Sequence, residues 1–319
     1  MKKYILLIPI ALTFILAPVL ISDNFLIRFL TDILIFSILA SSWNIIGGYT
    51  GYASFGNVVF FGIGAYFTAI LMSTAGFGFF LSMILSGFVA ALFAFLMGLP
   101  ILRLKGHYFA IATLGVAEAL KALVQNLKIT EGNSGIYLPP PDMSIEGIYS
   151  FFFYITLAVL IILLFSTWII FKNKFGYNLK AIREDEDSAN SMGINTTFFK
   201  SSAFAFSAFF SGLAGGIYAF QQGFIKPEPV FNVLITIKMI VMAVFGGIGS
   251  LFGPLIGAFT IETISEFLSS YFLVAHTLFL GMVIILMILF APKGMLDIFR
   301  NLGKKGLSYF KKNIKDHRV

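Results

Sequence analysis

Phe79-Phe80-Leu81-Ser82-Met83-Ile84-Leu85-Ser86-Gly87-Phe88-Val89-Ala90-Ala91-Leu92-Phe93-Ala94-Phe95-Leu96-Met97-Gly98-Leu99-Pro100 runs for 22 positions without an ionisable side chain. A bilayer core takes about 20 mainly apolar residues per helical span, and a helix apolar on every face is a buried or a membrane one. Outward from this run the same pattern recurs at 4–21, 29–46, 52–72, 107–125, 148–171, 201–221, 231–249, 250–270 and 276–291. That makes ten expected spans. Of these, 52–72 is glycine-rich and reads as broken or re-entrant, and 276–291 is short. Composition agrees: 58% of the 319 residues are hydrophobic and 12% charged, where soluble domains carry about one quarter charged. The expected fold is an all-α polytopic bundle over 1–291, followed by a basic tail over 292–319.

Charge orients the bundle. With the N-terminus inside, seventeen of the 22 Lys and Arg residues fall on the cytoplasmic side, eight of them from Lys293 onward. Only Arg28, Lys128 and Lys226 fall outside, and Lys121 and Lys238 lie within spans. This is the bias of the positive-inside rule. Both termini are therefore expected in the cytoplasm. The stretch after Met1-Lys2-Lys3 reads as an uncleaved span, since Ala17 is followed by Pro18-Val19-Leu20 and not by a small-x-small cleavage site. The tail is expected against anionic lipid. No aromatic or glycine-rich RNA motif accompanies its lysines, so nucleic acid is not an expected partner.

Absences narrow the chemistry. There is no cysteine and no G-x-x-x-x-G-K-[ST] loop to hold a nucleotide phosphate. His107, His276 and His317 are scattered without ligand spacing, so no metal site is expected. The chain reads as a transporter component that carries no cofactor and is no enzyme by itself.

Three features remain as candidates. Glycines cluster at Gly47, Gly48, Gly51 and Gly56, and again at Gly246, Gly247, Gly249 and Gly253. Such clusters serve close helix packing, or broken helices whose freed backbone lines a solute path. Charges lie within spans: Glu118 and Lys121 share a helix face, while Lys238 and Glu262 sit about level in spans eight and nine, counted at about 1.5 Å per residue. They are buried ion pairs or solute contacts. Finally, the segment 172–200 is the one strongly polar interior stretch. Its middle reads as a short helix, with Glu184 and its acidic neighbours near the start and Gly193 as the left-handed stop. The other long loop, 126–147, is turn-rich and external.

Several segments together are similar to the branched-chain amino acid ABC transporter permease family, LivM-type subunit. They are Gly51-Tyr52-Ala53-Ser54-Phe55-Gly56 with Gly62-Ile63-Gly64-Ala65-Tyr66, Leu102-Arg103-Leu104-Lys105-Gly106-His107-Tyr108-Phe109-Ala110, Ala181-Ile182-Arg183-Glu184-Asp185-Glu186 with Gly193-Ile194-Asn195, Gly246-Gly247-Ile248-Gly249-Ser250 with Gly253-Pro254, and Pro292-Lys293-Gly294. The resemblance implies a vitamin-B12-permease-like fold in a bacterial or archaeal cytoplasmic membrane. It implies a second homologous permease subunit, two ATP-binding cassette subunits that bind ATP and Mg, and an extracytoplasmic solute-binding protein. It makes 172–200 the loop that docks on the ATPases, with Arg183, Glu184, Ala189, Gly193 and Asn195 as the coupling residues. Asp187-Ser188 stands where family members often have alanine. Urea or short amides are alternative substrates within the same family. Outside it, the competing reading is an ion-coupled secondary transporter that uses the charges within its spans.

Overall fold

The computed structural model describes residues 23–271, with the isolated positions 18 and 281. The expected spans 4–21 and 276–291 and the basic tail lie outside the described residues. Eleven helices occur among those described: α1 (Asn24–Gly47), α2 (Val58–Ser73), α3 (Phe79–Ile101), α4 (His107–Asn126), α5 (Ile145–Lys172), α6 (Lys174–Glu184), α7 (Glu186–Ser191), α8 (Thr196–Gln222), α9 (Pro227–Val230), α10 (Val233–Gly247) and α11 (Gly253–Tyr271). Two short strands, β1 (Ile136–Tyr137) and β2 (Phe224–Ile225), pair antiparallel. Six stretches are long and apolar enough to cross a membrane: Asn24–Gly47, Phe79–Ile101, His107–Asn126, Gly147–Lys172, Thr196–Gln222 and Pro227–Gly247. The chain is a polytopic helical membrane protein.

Helix α8 is the centre of the bundle, packed against α1, α2, α3 and α5. Small residues let the backbones close up. A Cβ added to Gly64 would land on the Gly212 carbonyl, and one on Gly215 would land on the Phe61 carbonyl. Helices α10 and α11 form a hairpin by the same device, Gly246 lying against the Gly253 carbonyl and Gly257 against that of Met242. This hairpin packs on α1. Exposed apolar side chains line α3 at Leu81, Ile84, Phe88, Leu92, Leu96 and Leu99. Their three-to-four spacing is a single stripe suited to lipid.

The glycine-rich span 52–72 starts late: residues 48–57 leave the helical path and α2 begins only at Val58. Irregular backbone inside a membrane bundle needs partners for its polar groups, and neighbouring helices supply them. The Trp43 indole donates to the Ser54 carbonyl at 2.7 Å. The Phe55 amide donates to Thr113 Oγ1, and the Val58 amide to Thr236 Oγ1, both at 3.0 Å. Asn57 reaches Ser207, whose hydroxyl donates to the Ser42 carbonyl at 2.6 Å. The loop is thereby clamped by α1, α4, α8 and α10.

Candidate functional site

The polar 172–200 segment folds as two helices, not as the single short one expected. The break is at Asp185, whose extended backbone (φ −158°, ψ 112°) lets its carboxylate accept the Ser188 amide at 2.6 Å and cap α7. That hydrogen bond holds the Asp185 carboxyl below its ordinary value. Glu184 therefore ends α6 and is exposed, while Glu186 and Asp187 occupy the first turn of α7. The stop is where it was expected: Gly193 takes φ +85°. Its amide bonds the Asn190 carbonyl at 3.0 Å and the next amide, of Ile194, bonds the Ala189 carbonyl at 3.1 Å. This is the paired closure that a left-handed residue permits. Ala189 is buried beneath it, and Asn195 caps α8 by accepting the Phe198 amide at 3.1 Å.

Lys200, the fifth residue of α8, fastens this segment to the bundle. It is 1% exposed. Its ammonium donates to Glu186 Oε1 at 2.5 Å, to the Leu102 carbonyl at 2.6 Å and to the Tyr52 hydroxyl at 2.9 Å, which uses all three of its protons. The Tyr52 hydroxyl donates in turn to the other carboxylate oxygen of Glu186. Burial pushes the Glu186 carboxyl up, but hydrogen bonds from Lys200 and Tyr52 and the Lys200 charge outweigh it and hold the group below its usual value. The outer pair Lys105–Asp187, at 2.7 Å, is largely solvated and contributes little.

A second fastening runs through Arg183, whose Nη1 donates to the Gly48 carbonyl at 2.6 Å. Gly48 lies against Gly249, so the two glycine clusters, remote in sequence, abut. Asn44 stitches them, accepting the Gly249 amide at 2.8 Å and donating to the Ser250 carbonyl at 2.9 Å. Gly249 has φ +73°, and a Cβ there would come within 2.8 Å of the Arg183 guanidinium. Gly47 faces the Trp43 ring and Gly56 the Thr113 carbonyl. The polar segment is thus wired directly to the points where α1 and α10 end.

The model of the family described as branched-chain amino acid transport system, permease component, matches residues 25–291. The chain belongs to this family. The permease is 33% identical over 297 residues to the high-affinity branched-chain amino acid transport system permease protein LivM of Salmonella typhimurium, covering 85% of this chain and 69% of that one. It is 32% identical over 132 residues to a probable branched-chain amino acid transport permease protein LivH of Methanocaldococcus jannaschii, 41% of each chain. It is also 29% identical over 203 residues to an autoinducer 2 import system permease protein, LsrC, of Yersinia pestis, 61% of this chain and 56% of the relative. No solved structure matches the chain.

In the permease, Lys238 of α10 donates to Glu262 of α11 at 2.9 Å, and its ammonium also lies 4.7 Å from the centre of the Phe36 ring. Glu118 and Lys121 stand 3.8 Å apart on α4, the Glu118 side chain 56% exposed. Sequence reading missed two charges. Lys200 counts in the sequence only as one of the seventeen cytoplasmic-side cations, although it follows Phe198-Phe199 and precedes a long small-residue stretch. Asp32, within α1, was passed over, and it lies in electrostatic reach of Arg28, Lys238, Glu262 and Glu266.

Proposed function

We propose that the permease is the membrane-spanning subunit of an ATP-driven importer for branched-chain amino acids, coupled to its ATPases through residues 172–200. The observation that carries this reading is the Lys200–Glu186–Tyr52 cluster. A loop needed only for solubility has no use for a buried ion pair, whereas an element that transmits force must be stiff and attached. Around the cluster, the segment presents Met192 and Tyr177, 80% and 63% exposed, and an exposed Glu184. Large side chains this open on a firmly attached helix pair suit a protein partner.

In this reading 172–200 is cytoplasmic and docks on two ATP-binding cassette subunits, which bind ATP and Mg. The 126–147 loop is external and meets a solute-binding protein. A second homologous permease subunit completes the pathway, and α4 supplies the face that meets it: a Glu118 side chain 56% exposed at mid-span is too costly against lipid. The fold is of the vitamin-B12-permease type in a bacterial or archaeal cytoplasmic membrane.

The test is uptake by the reconstituted complex. Leucine should enter proteoliposomes only with ATP and the partner subunits present. Gradient-driven uptake by this chain alone would favour the secondary transporter, and uptake of urea or short amides in place of leucine would move the substrate. A reporter at Ser134 should be external and one after Lys180 cytoplasmic; the reverse would overturn the orientation.

A further inference from the structure

Between α6, the irregular stretch 48–57 and the start of α4 lies an open hollow of about 370 Å³. Tyr52, Phe55 and Phe109 give it aromatic walls, and Lys105, His107 and Arg183 bring basic side chains to it. Among the described residues, no carboxylate lines it. The basic groups have protons to spare. Arg183 gives one N–H to the Gly48 carbonyl, and a guanidinium has four more. Lys105 gives one of its three protons to Asp187 at 2.7 Å, in a contact so solvated that another anion can share the ammonium.

The level of the hollow in the membrane follows from the chain. The connection 102–106 joins α3 to α4, two helices each long and apolar enough to cross a bilayer. So short a link stays at the membrane surface, which puts Lys105 and His107 among the lipid headgroups. Leu104 and Tyr108, 41% and 74% exposed, flank them, an apolar and an aromatic side chain of the kind that interfaces favour. We propose that the hollow holds the phosphate of an anionic phospholipid, gripped by Lys105, His107 and Arg183. Basic pockets between spans take acidic headgroups, and a guanidinium matches phosphate geometry with a two-pronged grip. The cations come from two separate parts of the chain. A headgroup between them adds a tie from α6 to the α3–α4 connection, beside the solvated Lys105–Asp187 pair. The site does not depend on which solute the permease carries.

Native mass spectrometry of the whole chain in detergent, titrated with phosphatidylglycerol or phosphatidylcholine, reads the affinity for the first lipid bound. Phosphatidylglycerol should bind the more tightly. Lys105→Gln should weaken that binding about fivefold, the worth of one basic residue near an acidic surface, and adding His107→Gln should weaken it further. Phosphatidylcholine binding and the unfolding temperature without added lipid should not change. Arg183 also holds Gly48, so its loss would mix two effects. Lys172→Gln removes a cation at the end of α5, outside the hollow, and should leave phosphatidylglycerol binding within twofold of wild type. An equal loss in Lys172→Gln and Lys105→Gln would mean diffuse attraction to the surface and would overturn the site. Wild-type binding in the double variant would overturn it too. Displacement of the lipid by millimolar inorganic phosphate would make the ligand a soluble anion and overturn the lipid assignment.

Discussion

The ammonium of Lys200 and the carboxylate of Glu186 meet at 2.5 Å with side chains only 2% and 14% exposed. Removing one member strands the other in a place poor in water, which costs about 3 kcal/mol or more. Lys200→Met should therefore lower the unfolding temperature in detergent and expose 172–200 to protease. Adding Glu186→Gln should recover much of the loss. A double variant as unstable as the summed singles would mean that the two groups act independently.

The same pair sets a pH window. The folded Glu186 carboxyl titrates below its unfolded value, so its contribution is complete above the ordinary carboxylate value of about 4.3 and fades as pH falls through the lower folded one. Protease sensitivity of 172–200 should be flat from neutral to mildly acid pH and rise only in stronger acid. A rise centred at pH 6–7 would point to a different group.

Lys238 and Glu262 make a second double-variant cycle. Lys238→Met or Glu262→Gln alone should cut the folded yield, at about 3 kcal/mol for the unpaired charge, and the double change should regain most of it. Thermal unfolding of all four proteins reads the coupling directly. Additive losses would show that the contact at 2.9 Å has no energetic weight.

Gly193→Val separates coupling from folding. Nothing lies within 4 Å of a Cβ built there, while φ +85° is unfavourable for a side chain, by roughly 1–2 kcal/mol. The variant should insert and remain folded, yet lose solute-stimulated ATP hydrolysis and retain its ATPases poorly on purification. Normal hydrolysis would remove 172–200 as the coupling element.

Much of the bundle was legible because membrane spans are long, uniform signals. Depth counting brought Lys238 level with Glu262, since the rise of a helix is fixed. Local breaks were harder. The departure from helix over 48–57 depends on partners in α4, α8 and α10 that only the folded chain brings near. Asp185 could cap either a new helix or nothing, and its extended backbone is a tertiary outcome. Arg183 finds Gly48 across 135 residues, a pairing that no periodicity encodes. Lys200 was missed because a lysine at a span's end normally reaches water, and here its ammonium is taken up by Tyr52, Leu102 and Glu186.

Helix α8 is 27 residues without a proline, about 40 Å from end to end at 1.5 Å per residue. Near its start it is pinned by Lys200 to the polar segment, and its last turn leads through Gly223 into the strand pair with the 126–147 loop. In between, Gly215 rests on the Phe61 carbonyl and Gly64 of α2 on the Gly212 carbonyl, close backbone contacts that leave little room to absorb movement. It is therefore a push-rod. A nudge at the Asn195 end would reach the Gly223 end with little lost on the way. In such a machine the two sides of the membrane need no relay of rearranging side chains between them; they are opposite ends of one solid part.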